Sequence, residues 1–443
     1  MVAPPHASMP MPYGAHLRCY FEGPGKEFCA LSNGQKQADH WAALEQWFTP
    51  GRFAAGLGLL IFASFSPVLL GRETFFFRDY AIFGYPLAHY HKQAFWNGEL
   101  PLWNPLNHCG LPFLAQWNTL VFYPLSLIYL LLPMPWSLSF FCLFHLFLAG
   151  LGMYFLARRW SGSQFAGSAA GVAFAFSGLM LSCLKWPNNM AGLGLFPWVV
   201  FALDKAWAGE RYGVMAAALV SATQLLSGAP EMIFVTWMLA GILGLRRFCV
   251  EKERRVEIVL KSTAIIVLAA GLAAPQLLPF LDLLRYSQRD AGFSGSAWAM
   301  PLSGWANFFL PLFGSIPSHH GVYAQTGQYW VSSYYVALPA TLLAVCAAGR
   351  KMGSLSAVLL GAAFFSFVVS LGESGFVYSF LRHWVPGFGL MRFPVKFAAL
   401  TASLLPLVGA LALARSSSGE LTAATSTANA YALPPSWFHR SGS

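Results

Sequence analysis

Several windows of about twenty residues in this chain are almost free of charge, and the apolar runs are continuous, not alternating. A run that long spans the roughly 30 Å hydrocarbon core of a bilayer as a helix, whereas a membrane strand alternates apolar and polar residues. The chain therefore reads as an all-α polytopic membrane protein. Composition agrees: 56% of residues are hydrophobic, 10% are charged, and the mean hydropathy is +0.53. A soluble domain carries about a quarter charged residues.

Ten spanning helices are expected, at 53–71, 136–157, 164–183, 190–208, 212–228, 230–248, 260–281, 331–349, 354–372 and 395–414. The intervening segments are unequal in charge. Residues 158–163, 204–213, 246–261 and 350–353, with Arg415, hold 13 Lys and Arg in 37 residues; 72–135, 184–189, 282–330 and 373–394 hold 8 in 141. Lys and Arg concentrate on the cytoplasmic side, so the first set is expected inside and the large first loop outside. The formal net charge of +10 is then a topological signal and does not point to nucleic acid. Residues 1–50 read as a disordered cytoplasmic extension without a signal peptide, 51–415 as the membrane domain, and 416–443 as a disordered tail. The seven cysteines form no CxxC pair and read as small buried hydrophobes, not as metal ligands.

Phe75 to Asn118 carries the most information about function. It is too polar and too rich in Pro and Gly to span a bilayer, yet it contains Tyr90, Phe95, Trp96, Trp103 and Trp117. Such rings favour the membrane–water interface. The following NTLVFYPLSLIYLLL, residues 118–132, is too short to span and is interrupted by Pro124, which fits an interfacial or re-entrant helix. Pro275 and Pro279 are expected to kink the seventh span near its outer end.

Candidate chemistry gathers in the outer segments. Asp79, beside Arg78, is a carboxylate at the membrane surface and a candidate general base; the bland alternative is an ordinary pair of loop charges. Glu231 follows the SGAP turn and opens a helix, where the helix dipole favours it whether or not it contacts substrate. Arg392 and Lys396 lie four residues apart in WVPGFGLMRFPVK and suit a phosphate, or snorkel to lipid headgroups. Arg285 and Arg289 have the same spacing after the seventh span. The adjacent His319 and His320 make a weak metal motif. No Walker loop, dinucleotide fingerprint or Ser–His–Asp order occurs.

The blocks FFFRDYAIFGYPL, FWNGELPLWNPLNHCGLPFLAQ, FYPLSLIYLLLP, SGAPE and VPGFGLMRFPVK, in this order, resemble the YfhO-type bacterial membrane proteins of the GT-C glycosyltransferase superfamily. The resemblance implies a multi-helix GT-C-like bundle, here with the about ten transmembrane helices read from hydropathy, a large first extracytoplasmic loop with interfacial helices, and a site on the outer face of the bacterial plasma membrane. It implies sugar transfer, with inversion, from a polyprenyl-phosphate donor to a cell-envelope glycan or lipid acceptor. Asp79 corresponds by position to the essential loop aspartate. Arg392 and Lys396 are then candidates for the leaving phosphate, with Arg285 and Arg289 in reserve. Gln116, His91, Arg78 and Glu231 are candidates for binding donor or acceptor. No cofactor is required by this reading, although a divalent cation could take part. Two rivals stand beside it: a transporter or flippase for a lipid-linked saccharide, which would show internal repeats and broken helices at mid-membrane, and a truncated, inactive GT-C scaffold.

Overall fold

A computed structural model of the chain describes residues 44–287, 298–317, 323–348, 353–385, 388, 391 and 393–417. Each of the ten expected segments contains a helix, but their lengths differ from the expectation. Among the described residues, six helical stretches are long and apolar enough to cross a membrane: Pro50–Leu69, Trp136–Ser161, Gln164–Cys183, Pro230–Val250, Lys252–Tyr286 and Pro394–Ser416. Three others are shorter: Gly213–Leu226, Leu338–Ala348 and Ser354–Ser370. The segment expected at 331–349 is helical only from Leu338, because Val331–Ala337 runs without regular structure. Its Tyr334 amide and Ser333 hydroxyl both donate to the Asn307 side chain, which holds the strand-like run in place. Eleven helical residues reach only about 16 Å, roughly half the hydrocarbon core.

The helices used below are α1 Pro50–Leu69, α2 Tyr85–Trp96, α3 Leu127–Leu131, α4 Trp136–Ser161, α5 Gln164–Ala175, α6 Gly178–Cys183, α7 Pro187–Ala208, α8 Gly213–Leu226, α9 Pro230–Val250, α10 Arg255–Tyr286, α11 Leu338–Ala348, α12 Ser354–Ser370, α13 Val377–Trp384 and α14 Ala398–Ser417. Among the described residues the two β pairings are minimal. Trp103–Asn104 faces Leu111–Pro112, and Ser315–Pro317 faces Tyr323–Gln325, both antiparallel.

At the centre, α4 packs against α5 and α7. Small residues permit the approach: a Cβ on Gly167 of α5 would meet the Tyr154 carbonyl at 2.9 Å, and one on Gly171 would meet the Gly150 carbonyl at 2.7 Å. Without a hydrophobic drive between helices in lipid, such close backbone packing is what holds them together. Helix α4 stops at Gly162, left-handed at φ 75°, with Arg158 and Arg159 in its last turn. Ser163 then caps α5 by accepting from the Ala166 amide at 3.0 Å.

Three of the basic residues assigned to one side by their loops meet in one network. Asp204 accepts from both Arg159 and Arg247; Glu210 accepts from Arg159 and Lys205; Glu251 accepts from Arg247. These pairs tie the ends of α4, α7 and α9. Helix α10 continues through Pro275 and Pro279 over 32 residues. The helical dihedrals break in α1, at Phe65 (φ −129°, ψ 27°), two residues before Pro67.

The first large loop is folded onto the bundle. After a π-helical turn at Tyr80–Gly84 comes α2, whose Lys92 donates to the Tyr129 and Leu132 carbonyls and whose Trp96 donates to Leu130. These are carbonyls at the C-terminal end of α3, which lack helical partners. Residues 118–132 form two short 3₁₀ turns and α3, broken at Pro124. Phe113, Tyr123 and Tyr129 are buried, while Phe76, Trp96 and Trp103 are exposed.

Candidate functional site

A polar cavity of about 280 Å³ lies where this loop meets the bundle. Asp79, Glu231 and Lys396, three residues separated widely in sequence, all line it. Each is delivered by a distinct local device. Asp79 stands between Arg78, in the left-handed region at φ 49°, and the π-helical turn. Positive φ at a non-glycine residue and a π turn both recur at functional sites. The Asp79 carboxylate accepts from the Trp186 indole N–H at 2.5 Å, through Oδ2. Arg78 turns elsewhere and donates to the Tyr329 carbonyl at 2.8 Å.

Pro187 and Pro230 occupy the first turns of α7 and α9, where a missing amide hydrogen costs nothing. Both helices thus begin at the cavity, and both present the positive end of their dipoles to it. The first turn of α7 brings Asn188 and Asn189 into the lining. Asn188 donates to the Gly228 carbonyl at 3.0 Å, which joins α7 to the turn before α9. Gly228 is required there: its φ is +63°, and a Cβ would sit 1.9 Å from the Trp117 carbonyl oxygen.

Glu231, nearly buried in the first turn of α9, pairs with the Lys396 ammonium at 2.5 Å. Lys396 lies in the 3₁₀ turn Pro394–Phe397 that leads into α14. The cavity therefore holds a pre-formed ion pair beside a carboxylate held by an indole. Among the described residues no group of three or more His, Cys, Asp or Glu is arranged to hold a metal ion.

A second, mostly apolar groove of about 520 Å³ lies behind the same residues. Its walls include Phe75, Phe76, Phe77, Leu181, Leu312 and Tyr335. The two spaces adjoin at successive residues: Asp79 lines the cavity and Tyr80 the groove, Trp186 lines the cavity and Lys185 the groove. Lys185 is 8% exposed, its ammonium 4.3 Å from the centre of the Trp186 ring. Burial first, and then the nearby Arg78 cation, push its pKa down to about 8, against the opposing pull of Cys183 and Asp79. Trp186 in turn stacks on Trp330.

The other residues nominated from sequence fall in different places. His91 does not line the cavity. It is buried behind Tyr129, which does, and the two share a hydrogen bond of 3.0 Å through His91 Nδ1. Burial pushes the imidazole down to about 4, so it is neutral near pH 7. Gln116 stands outside the lining, just before the 3₁₀ turn that supplies Asn118 and Thr119 to it. Arg285 is exposed at the end of α10, away from the cavity lining. Arg289, His319, His320 and Arg392 lie outside the described residues. Sequence reasoning passed over Lys185, Trp186, Asn188 and Asn189. One signal was present: Lys185 is a cation in a segment that the charge bias assigns to the outer side, the same departure that singled out Lys396.

No protein-family model matches the chain, and no curated protein matches it.

Proposed function

We propose that the protein is a membrane glycosyltransferase of GT-C type, taking a sugar from a polyprenyl-phosphate donor to a cell-envelope glycan or lipid acceptor. In this reading the ten apolar segments are all membrane-embedded, and the cavity opens on the extracytoplasmic side of a bacterial plasma membrane. The observation that carries it is the pairing of a polar cavity containing Asp79 with an adjoining apolar groove containing Lys185. A ligand that is apolar at one end, anionic in the middle and polar at the other matches that sequence of surfaces.

The chemistry follows from the groups. An acceptor hydroxyl gives its proton to Asp79, using the oxygen that Trp186 does not hold. Its oxygen bonds to the anomeric carbon from the face opposite the phosphate, which inverts that centre. The bond from anomeric carbon to phosphate oxygen breaks, and the lipid phosphate leaves with the electron pair. Cations fixed near that oxygen stabilise the charge it acquires. Lys185 is suited to this, because Lys396 is already paired with Glu231. Asn188 and Asn189 offer donors and acceptors to sugar hydroxyls.

The test is sugar transfer in membranes from a panel of polyprenyl-phosphate sugars, wild type beside Asp79→Asn. The amide still accepts from the Trp186 indole, so folding and insertion are retained. Loss of a general base costs 10²–10⁴ in rate, and a fall of at least a hundredfold is expected. Wild-type transfer by the variant removes the base assignment. Absence of transfer by the wild type with every donor favours the flippase or scaffold readings.

A further inference from the structure

At the opposite end of α9 from Glu231 lies another cleft, of about 560 Å³, between α9 and α10. It is almost wholly apolar and runs along α9 from Trp237 to Phe248. Twelve residues of helix span about 18 Å, a little over half the ~30 Å hydrocarbon core and hence about one leaflet. Two glycines one turn apart hollow its floor: nothing lies within 4 Å of where a Gly241 Cβ would be, and a Gly244 Cβ would touch only the Trp207 ring, at 3.4 Å and beyond. Leu245, Val259 and Ile266 at its edges are exposed.

The charge at its mouth is not neutral. Residues 246–261 carry six Lys and Arg against three Glu. Several cations are committed: Arg247 to Asp204 and Glu251, Arg254 to Glu251 and Glu257, Lys261 to Glu257. Arg255 is not. Its guanidinium sits 4.8 Å from the centre of the Phe248 ring, and its Nε donates to the Phe248 carbonyl at 2.9 Å. Among the described residues it forms no ion pair, so both terminal nitrogens remain for an external anion.

We propose that this cleft is a binding site for an anionic phospholipid, with one acyl chain between α9 and α10 and the headgroup phosphate on Arg255. Length and apolarity select the chain. The unpaired guanidinium beside Phe248, in a segment of net positive charge, selects an anionic headgroup over a zwitterionic one. This inference is independent of the glycosyltransferase reading, since no cavity residue takes part.

Native mass spectrometry of the full-length protein in mild detergent, titrated with phosphatidylglycerol or phosphatidylcholine, tests it. Wild type is expected to retain phosphatidylglycerol preferentially. Arg255→Ala should reduce that retention about fivefold, the effect of one cation at a lipid surface, and bring the two lipids level. Gly241→Leu adds a side chain to the cleft at a position whose Cβ has nothing within 4 Å and should abolish retention of both; Thr263→Phe fills it from the facing helix and serves if the first variant does not fold. Equal retention of the two lipids by wild type overturns the proposal. So does unchanged retention in both filled variants, or a dimer that Gly241→Leu dissolves, which would make the cleft an interface between copies.

Discussion

Removing the ammonium of Lys396 should destabilise the protein, and removing its partner as well should restore most of the loss. The two side chains are 12% and 11% exposed, with nitrogen and oxygen 2.5 Å apart. Breaking a buried pair by deleting one partner costs about 3–5 kcal/mol, because a charge stays behind in a low dielectric. Here the N-terminal turn of α9 still favours the Glu231 carboxylate by about 0.3–1 kcal/mol, so Lys396→Met should cost ~2–4 kcal/mol. Glu231→Gln strands the ammonium and should cost a similar amount. Replacing both charges at once is often neutral, so Glu231→Gln with Lys396→Met should lie within ~1 kcal/mol of wild type. The four proteins form a cycle, measured by reversible unfolding in mixed micelles with rising detergent denaturant and followed by tryptophan fluorescence. A coupling energy of ~2 kcal/mol or more is expected. Losses that simply add, or a Lys396→Met protein as stable as wild type, refute the pair as a structural element and return Lys396 to the role of a phosphate ligand.

Three further outcomes follow from the same geometry. Lys185 is a cation below about pH 8 and loses its charge as pH rises through that value, so the donor Michaelis constant should climb above pH 8 while the acceptor's stays level. Lys185→Arg should move the climb to higher pH, and an unmoved profile excludes Lys185 as the phosphate partner. His91 is held down at about 4 against a usual 6.5; the unfolded chain therefore binds the extra proton first, and stability should fall as pH drops from 6.5 towards 4. His91→Gln should flatten that slope in the same unfolding assay. Gly228→Ala drives a Cβ to 1.9 Å from a backbone oxygen at positive φ and should cost at least ~2 kcal/mol, read as loss of folded protein on size-exclusion chromatography.

Hydropathy made the helical segments legible because an apolar helix satisfies its own backbone hydrogen bonds, and that demand is written in local composition. Helix ends followed local rules as well: Pro187 and Pro230 open α7 and α9, and Gly162 closes α4. Lengths were less legible, since Val331–Ala337 departs from helix where Asn307, 26 and 27 positions upstream, and the Phe308 carbonyl take its hydrogen bonds. In the cavity, Asp79, Glu231 and Lys396 stood out as charges at apolar segment ends, a one-dimensional signal. The Glu231–Lys396 pair spans 165 positions, and no periodicity or spacing reaches that far. Lys185 and Trp186 were missed for a related reason: a Trp next to a Lys outside a helix is unremarkable in sequence. Its meaning comes from Asp79, 107 positions away, accepting the indole hydrogen. Charges can be nominated from a chain by where they are unexpected, but their roles depend on which of them the fold has already neutralised. By that criterion Lys396, the cation favoured by spacing, is committed to Glu231, whereas Lys185, at the edge of the apolar groove, forms no ion pair among the described residues.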